Sequence, residues 1–141
     1  MYKKILVAYE GSNGSRKALE FALSIAKNYK SELSALWIGG YKAYYHETAA
    51  EIEEENNAVS QFADKLRTDI MKISQQENYP INFCYMRGNP AKLILEYSEK
   101  NMIDLIVIGG KGYSGLWGNE LGHVTSKVCE KAKCNVLVIK E

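Results

Sequence analysis

Six of the chain's eleven glycines, Gly109, Gly110, Gly112, Gly115, Gly118 and Gly122, fall between positions 109 and 122. They follow directly on the apolar run Asp104-Leu105-Ile106-Val107-Ile108. Glycine adopts positive φ at no steric cost, so such a cluster suits a loop built of tight turns. It also suits an anion cradle. With no side chains in the way, backbone N–H groups can converge on phosphate oxygens, and the start of a following helix adds its dipole. The position of the loop in the expected fold favours the cradle.

Two familiar phosphate motifs are excluded. Lys111 follows Gly110, but no glycine opens a GxxxxGK[ST] motif upstream and Gly112 stands where Ser or Thr is required. Gly110-Lys111-Gly112-Tyr113-Ser114-Gly115 spells GxGxxG. A dinucleotide fingerprint belongs after the first strand, however, with an acid about 20 residues later. Convincing catalytic groups are missing. Neither His46 nor His123 stands beside an evident nucleophile, and no HExxH or GxSxG occurs. Phosphoanhydride hydrolysis needs Mg²⁺, charge clamps and a positioned water. The residues therefore point to a binding protein rather than an efficient enzyme, with at most slow hydrolysis of a phosphoanhydride.

The loop must be positioned by the elements around it. Ile5-Leu6-Val7-Ala8-Tyr9 is continuous and apolar, as a strand buried on both faces should be. Gly11 to Ser15 then forms a loop ending in helix-capping residues. Ala18, Phe21, Ala22, Ile25, Ala26 and Tyr29 recur at helical spacing and predict one apolar stripe. Leu33–Ile38 reads as the second strand, ended by Gly39-Gly40, and residues 41–50 as an irregular connection. A long helix is expected over Glu51–Glu77, with Val59, Phe62, Ala63, Leu66, Ile70 and Ile73 inward. Its early acids, Glu51, Glu53, Glu54 and Glu55, form a solvated first turn that suits the helix dipole. Ile81–Met86 reads as the third strand. Pro90 takes the first position of a helix carrying Leu93, Ile94 and Tyr97 inward. Asp104–Ile108 reads as the fourth strand. Leu121, Val124, Val128 and Ala132 mark the last helix, and Asn135–Lys140 the fifth strand.

Strands alternating with helices imply a parallel sheet covered on both faces, and right-handed crossovers restrict it to doubly wound topologies. The expected fold is α/β, a doubly wound five-stranded parallel sheet of order 3-2-1-4-5, in one domain over residues 1–141. The first and fourth strands are then neighbours at the switch point. Ligands bind there, outside the carboxyl ends of the strands. The loops Tyr9–Ser15 and Gly109–Gly122 meet at that place.

The net charge is +1, from 18 basic and 17 acidic residues, which lacks the basic excess of a nucleic-acid binder. Cys84, Cys129 and Cys134 form no CxxC pair and are expected to be small buried hydrophobes. The N-terminal apolar run is too short for a signal peptide. No stretch approaches the roughly 20 apolar residues that span a bilayer. A cytoplasmic protein without membrane or nucleic-acid partners is expected. The Asn13-Gly14-Ser15 sequon is read as chance.

Nearly the whole chain resembles the universal stress proteins. The likeness lies in Ile5–Ser12, in the Gly88-Asn89-Pro90 turn, in Asp104–Gly109 and in Cys134–Ile139. ATP-binding members carry G-x2-G-x9-G-[ST]. This chain has Gly109-x2-Gly112-x9-Gly122, then His123 in place of Ser or Thr. Glu10 stands where the family usually has Asp. The resemblance implies a nucleotide site formed by Ala8, Tyr9, Glu10, Ile38, Gly109, Gly110, Lys111, Gly112, Gly122, His123, Val124 and Thr125. In it Gly110 and Lys111 offer N–H donors, and Ile38 lends its backbone to adenine. Thr125 or Ser126 can supply the hydroxyl missing at His123. The implied ligand is ATP or another adenine nucleotide, ADP or AMP, with or without Mg²⁺. The last strand, short and apolar at a sheet edge, suits a homodimer through Val136–Ile139, as is common in the family. The alternatives are a dimeric interaction module without nucleotide and an adenylate-handling enzyme on a similar fold.

Overall fold

The computed structural model describes residues 1–39, 48–111 and 122–141. Five strands, β1 (Lys4–Ala8), β2 (Glu32–Gly39), β3 (Asn82–Arg87), β4 (Leu105–Gly109) and β5 (Asn135–Ile139), pair in parallel in the order β3-β2-β1-β4-β5. Helices α1 (Asn13–Tyr29), α2 (Ala49–Glu77), α3 (Pro90–Lys100) and α4 (His123–Lys131) alternate with them. The expected doubly wound topology is the one observed. Val7 of β1 sits between Ala35 of β2 and Val107 of β4, so β1 and β4 are adjacent where the winding reverses.

Alternation along the strands divides the core into two layers. Ile5, Val7 and Tyr9 pack with Leu33, Ala35, Trp37, Leu105 and Val107 against α1 and α2. Leu6 and Ala8 pack with Leu36, Ile38, Ile106 and Ile108 against Ile94 of α3 and Val128 of α4. Burial on both faces explains why the central strands read as unbroken apolar runs.

Local capping sets the helix ends. Ser12 Oγ accepts from Ser15 N at 3.2 Å, and Asn89 Oδ1 from Lys92 N at 3.1 Å. Thr48 Oγ1 accepts from Glu51 N at 3.1 Å, which starts α2 at Ala49, two residues ahead of the expected Glu51. α1 and α2 close on Lys30 and Asn78 in the left-handed region, at φ 56° and 51°.

Several side chains depart from expectation. Phe21 and Tyr29 are 46% and 47% exposed, and the buried stripe of α1 is Ala18, Leu19, Ala22, Leu23 and Ala26. Alanines four apart let the helix lie close to the sheet, while bulky rings move to its flank. Tyr29 meets Tyr2 edge-on at 5.9 Å there. Phe62 is partly exposed but packs on Trp37, with ring centroids 4.8 Å apart. Cys129 is exposed because Thr125 and Val128 take the inward face of α4, and Cys84 and Cys134, outside that helix, are half-buried. Leu121 and residues 41–47 lie outside the described residues.

Candidate functional site

A cavity of about 280 Å³ opens at the carboxyl ends of β1 and β4. It is lined by Ala8 and Glu10 after β1, by Ser12, Asn13, Gly14 and Ser15 at the start of α1, and by Ile108, Gly109, Lys111 and Glu141. Four residues predicted from sequence, Ala8, Glu10, Gly109 and Lys111, are thus brought together at the switch point.

The wall between α1 and β4 is made by two glycines in close approach. A Cβ on Gly109 would stand 3.3 Å from the backbone carbon of Gly14, tighter than ordinary packing. The absence of a side chain at Gly109 lets the first turn of α1 reach the exit of β4.

Glu10 is turned onto that first turn. Its Oε1 accepts from Ser12 Oγ at 2.9 Å, and its backbone N–H donates to Ser15 Oγ at 3.2 Å. Burial pushes its carboxyl above the usual 4.5, and the Ser12 hydrogen bond opposes that shift.

The base of the glycine loop is closed by hydrogen bonds. Gly110 N–H donates to Ile139 O at 2.8 Å, and Gly122 N–H donates to Gly110 O at 3.0 Å. Thr125 Oγ1, wholly buried, donates to Gly109 O at 2.8 Å. Two roles implied by the resemblance, those of the Gly110 amide and the Thr125 hydroxyl, are affected. The Gly110 amide is taken by the ladder to β5 and is no free donor for a ligand. The Gly122 amide is likewise taken. The Thr125 hydroxyl ties α4 to β4, so it holds the loop rather than replacing the missing Ser. Ser126, the next residue of the helix, is exposed.

Gly122 is the N-cap of α4 and has no side chain to cap it. The first amides of that helix, at His123, Val124 and Thr125, have no intrahelical acceptor, and they carry the positive end of the dipole. His123 does not line the cavity. Tyr9 does not line it either. It is fully buried in the α1/α2 layer, where burial raises its hydroxyl pKa and Arg16 opposes the rise. Ile38 is buried with Ala8 in the opposite layer. Gly112 lies outside the described residues, as do Gly115, Gly118, Leu116 and Trp117.

Of the other lining residues, Ser12, Asn13, Gly14 and Ser15 were expected only as part of the loop Tyr9–Ser15 at the switch point, and Ile108 and Glu141 were not singled out as site residues. Among the described residues no group of three or more His, Cys, Asp or Glu side chains is placed to hold a metal ion. No described helix is long and apolar enough to cross a membrane.

The family model described as the Universal stress protein family matches residues 1–140. The chain belongs to the universal stress protein family. Universal stress protein YxiE of Bacillus subtilis is 31% identical over 148 residues, an alignment covering 99% of this chain and all of the relative. Universal stress protein UspA from Lactobacillus plantarum superposes with a TM-score of 0.84 at 27% identity, over 98% of this chain and 97% of that one. Two more distant universal stress proteins share the fold. One, in complex with cAMP, has a TM-score of 0.70 at 21% identity, over 98% of this chain and 97% of its own. The other, from Arabidopsis thaliana with AMP bound, has a TM-score of 0.68 at 18% identity, over 99% and 91%. This universal stress protein has glycines at 109 and 122, with His123 opening α4.

Proposed function

We propose that this universal stress protein is a single-domain regulator that binds an adenine nucleotide at the end of β1 and β4 and turns it over slowly or not at all. The observation that carries the reading is the cavity of about 280 Å³ at the switch point, with Gly109 and Lys111 on its wall. Three features fit a phosphate tail. Glycines line the wall at Gly14 and Gly109, Lys111 supplies a cation, and α4 begins at Gly122, an N-cap with no side chain of its own to take the first amides. The fold neighbours with cAMP and AMP support an adenine base. Mg²⁺, if bound with the phosphates, would offset the Glu10 and Glu141 carboxylates that face the same space.

Gently denatured purified protein, analysed by mass spectrometry, is expected to release an adenine nucleotide. Isothermal titration with ATP, with and without Mg²⁺, is expected to show saturable binding. No released nucleotide and no heat at millimolar ATP would remove the reading. Turnover above about one per second would instead indicate an enzyme.

A second reading, a dimeric module without nucleotide, is favoured by the edge strand β5. Val136, Leu137 and Val138 remain half-buried there. A short apolar edge invites pairing with a second copy. The dimer itself is compatible with either reading, and it is proposed for the nucleotide-bound protein as well.

A further inference from the structure

Glu141 brings a second carboxylate, besides that of Glu10, to the wall of the cavity. The backbone leading to it is tied down twice. Ile139 O accepts from Gly110 N–H at 2.8 Å, and Lys140 O accepts from Lys17 Nζ at 3.1 Å. From there the side chain reaches inward. Its Oε2 lies 3.6 Å from Lys111 Nζ, and a Cβ built on Gly14 would stand 2.8 Å from its Oε1. The carboxylate therefore sits between the lysine of the glycine loop and the first turn of α1. An anion is favoured at both of these neighbours.

We infer that Glu141 is a built-in competitor for the anionic part of a ligand. Its carboxylate holds Lys111 while the cavity is empty and leaves when a phosphate group enters. This inference rests on the reading of the cavity as a nucleotide site. The strength of the contact suits a displaceable latch. Lys111 and Glu141 side chains are 46% and 45% exposed, and pairs so exposed are worth only a factor of about 1.5 to 5 in an equilibrium constant. The neighbouring residue on the helix side also makes room. Gly14 presents no side chain, so the carboxylate end moves without disturbing the fold. Glu10, the other acid of the cavity, is held by Ser12 Oγ instead.

The test is a double-mutant cycle read by isothermal titration of ATP into the full chain. Glu141→Gln keeps the shape and removes the charge. It is expected to tighten ATP binding about three- to five-fold at low salt, with the gain fading at about 0.5 M NaCl, on the scale of one exposed ion pair. In the Lys111→Met background the same change is expected to gain clearly less. Thermal unfolding of each variant checks that the fold is kept, which the exposure of both side chains favours. Equal ATP affinity in the wild type and Glu141→Gln overturns the latch and leaves the nucleotide reading standing. Weaker binding by Glu141→Gln, or an undiminished gain without Lys111, overturns it as well. Failure of both the wild type and Glu141→Gln to bind ATP removes the nucleotide reading itself.

Discussion

Thr125→Val tests whether one hydroxyl holds the base of the glycine loop. Thr125 is wholly buried and its Oγ1 donates to Gly109 O at 2.8 Å. Valine fills nearly the same volume, so the change removes a hydrogen bond and adds little strain. A neutral buried hydrogen bond contributes about 1 kcal/mol net, and a carbonyl left short of a partner raises the loss toward about 2 kcal/mol. A loss of about 1.5 kcal/mol in a chain of this length lowers Tm by about 5 °C. Far-UV circular dichroism during heating and during urea unfolding measures it. Thr125→Ser keeps the donor and loses a methyl group, a cost of about 1 kcal/mol. Both variants are therefore destabilised, but only Thr125→Val releases α4 from the exit of β4. ATP affinity is expected to fall in Thr125→Val and to stay near wild type in Thr125→Ser. A Thr125→Val protein with unchanged Tm and unchanged ATP affinity would refute the reasoning. Equal affinity loss in the two variants would show that packing, not the hydrogen bond, positions the helix.

Gly39→Ala would place a Cβ 2.2 Å from the Trp37 ring, which packs on Phe62 and lies 6.0 Å from Tyr85. The ring must move, and overpacking of this kind lowers stability by about 1–3 kcal/mol, read as a lower urea midpoint. Glu10 has a folded-state pKa raised by burial, so the native state holds its proton more tightly than the unfolded chain. Its contribution is favourable at pH below the usual 4.5 and is lost as pH rises through the raised value. Glu10→Gln is thus expected to match the wild type near pH 4 in urea unfolding and to exceed it near pH 7, and the reverse order would contradict the burial argument. Val138→Asp puts a charge on the half-buried edge strand β5. Sedimentation is expected to show a dimer for the wild type and a monomer for the variant.

The architecture was readable because burial on both faces leaves a plain mark. Ile5 to Tyr9 and Leu105 to Ile108 have no polar interruption, and that pattern with intervening helices leaves few topologies. The stripe of α1 was harder. Phe21, Ile25 and Tyr29 obey the helical period as well as Leu19 and Leu23 do. What selects between them is the close seat of the helix on the sheet, set by its alanines together with the Gly14–Gly109 approach. The loops that carry Glu10, Gly109 and Lys111 could be placed in advance because strand order brings strand ends together, and the family resemblance added Ala8. Tyr9 shares that strand end but points to the other layer, as alternation requires. Glu141 carried no local signal. Its place depends on Lys17 and Gly110, both remote from it in sequence.

The meeting of Gly14 with Gly109 makes these two positions interdependent. A methyl group at 14 meets only the movable tip of Glu141, whereas one at 109 meets main chain. The first exchange is therefore open and the second closed until α1 shifts outward. Any homologue that has gained a side chain at 109 is expected to show a compensating retreat of this helix, with a wider and shallower hollow beside it.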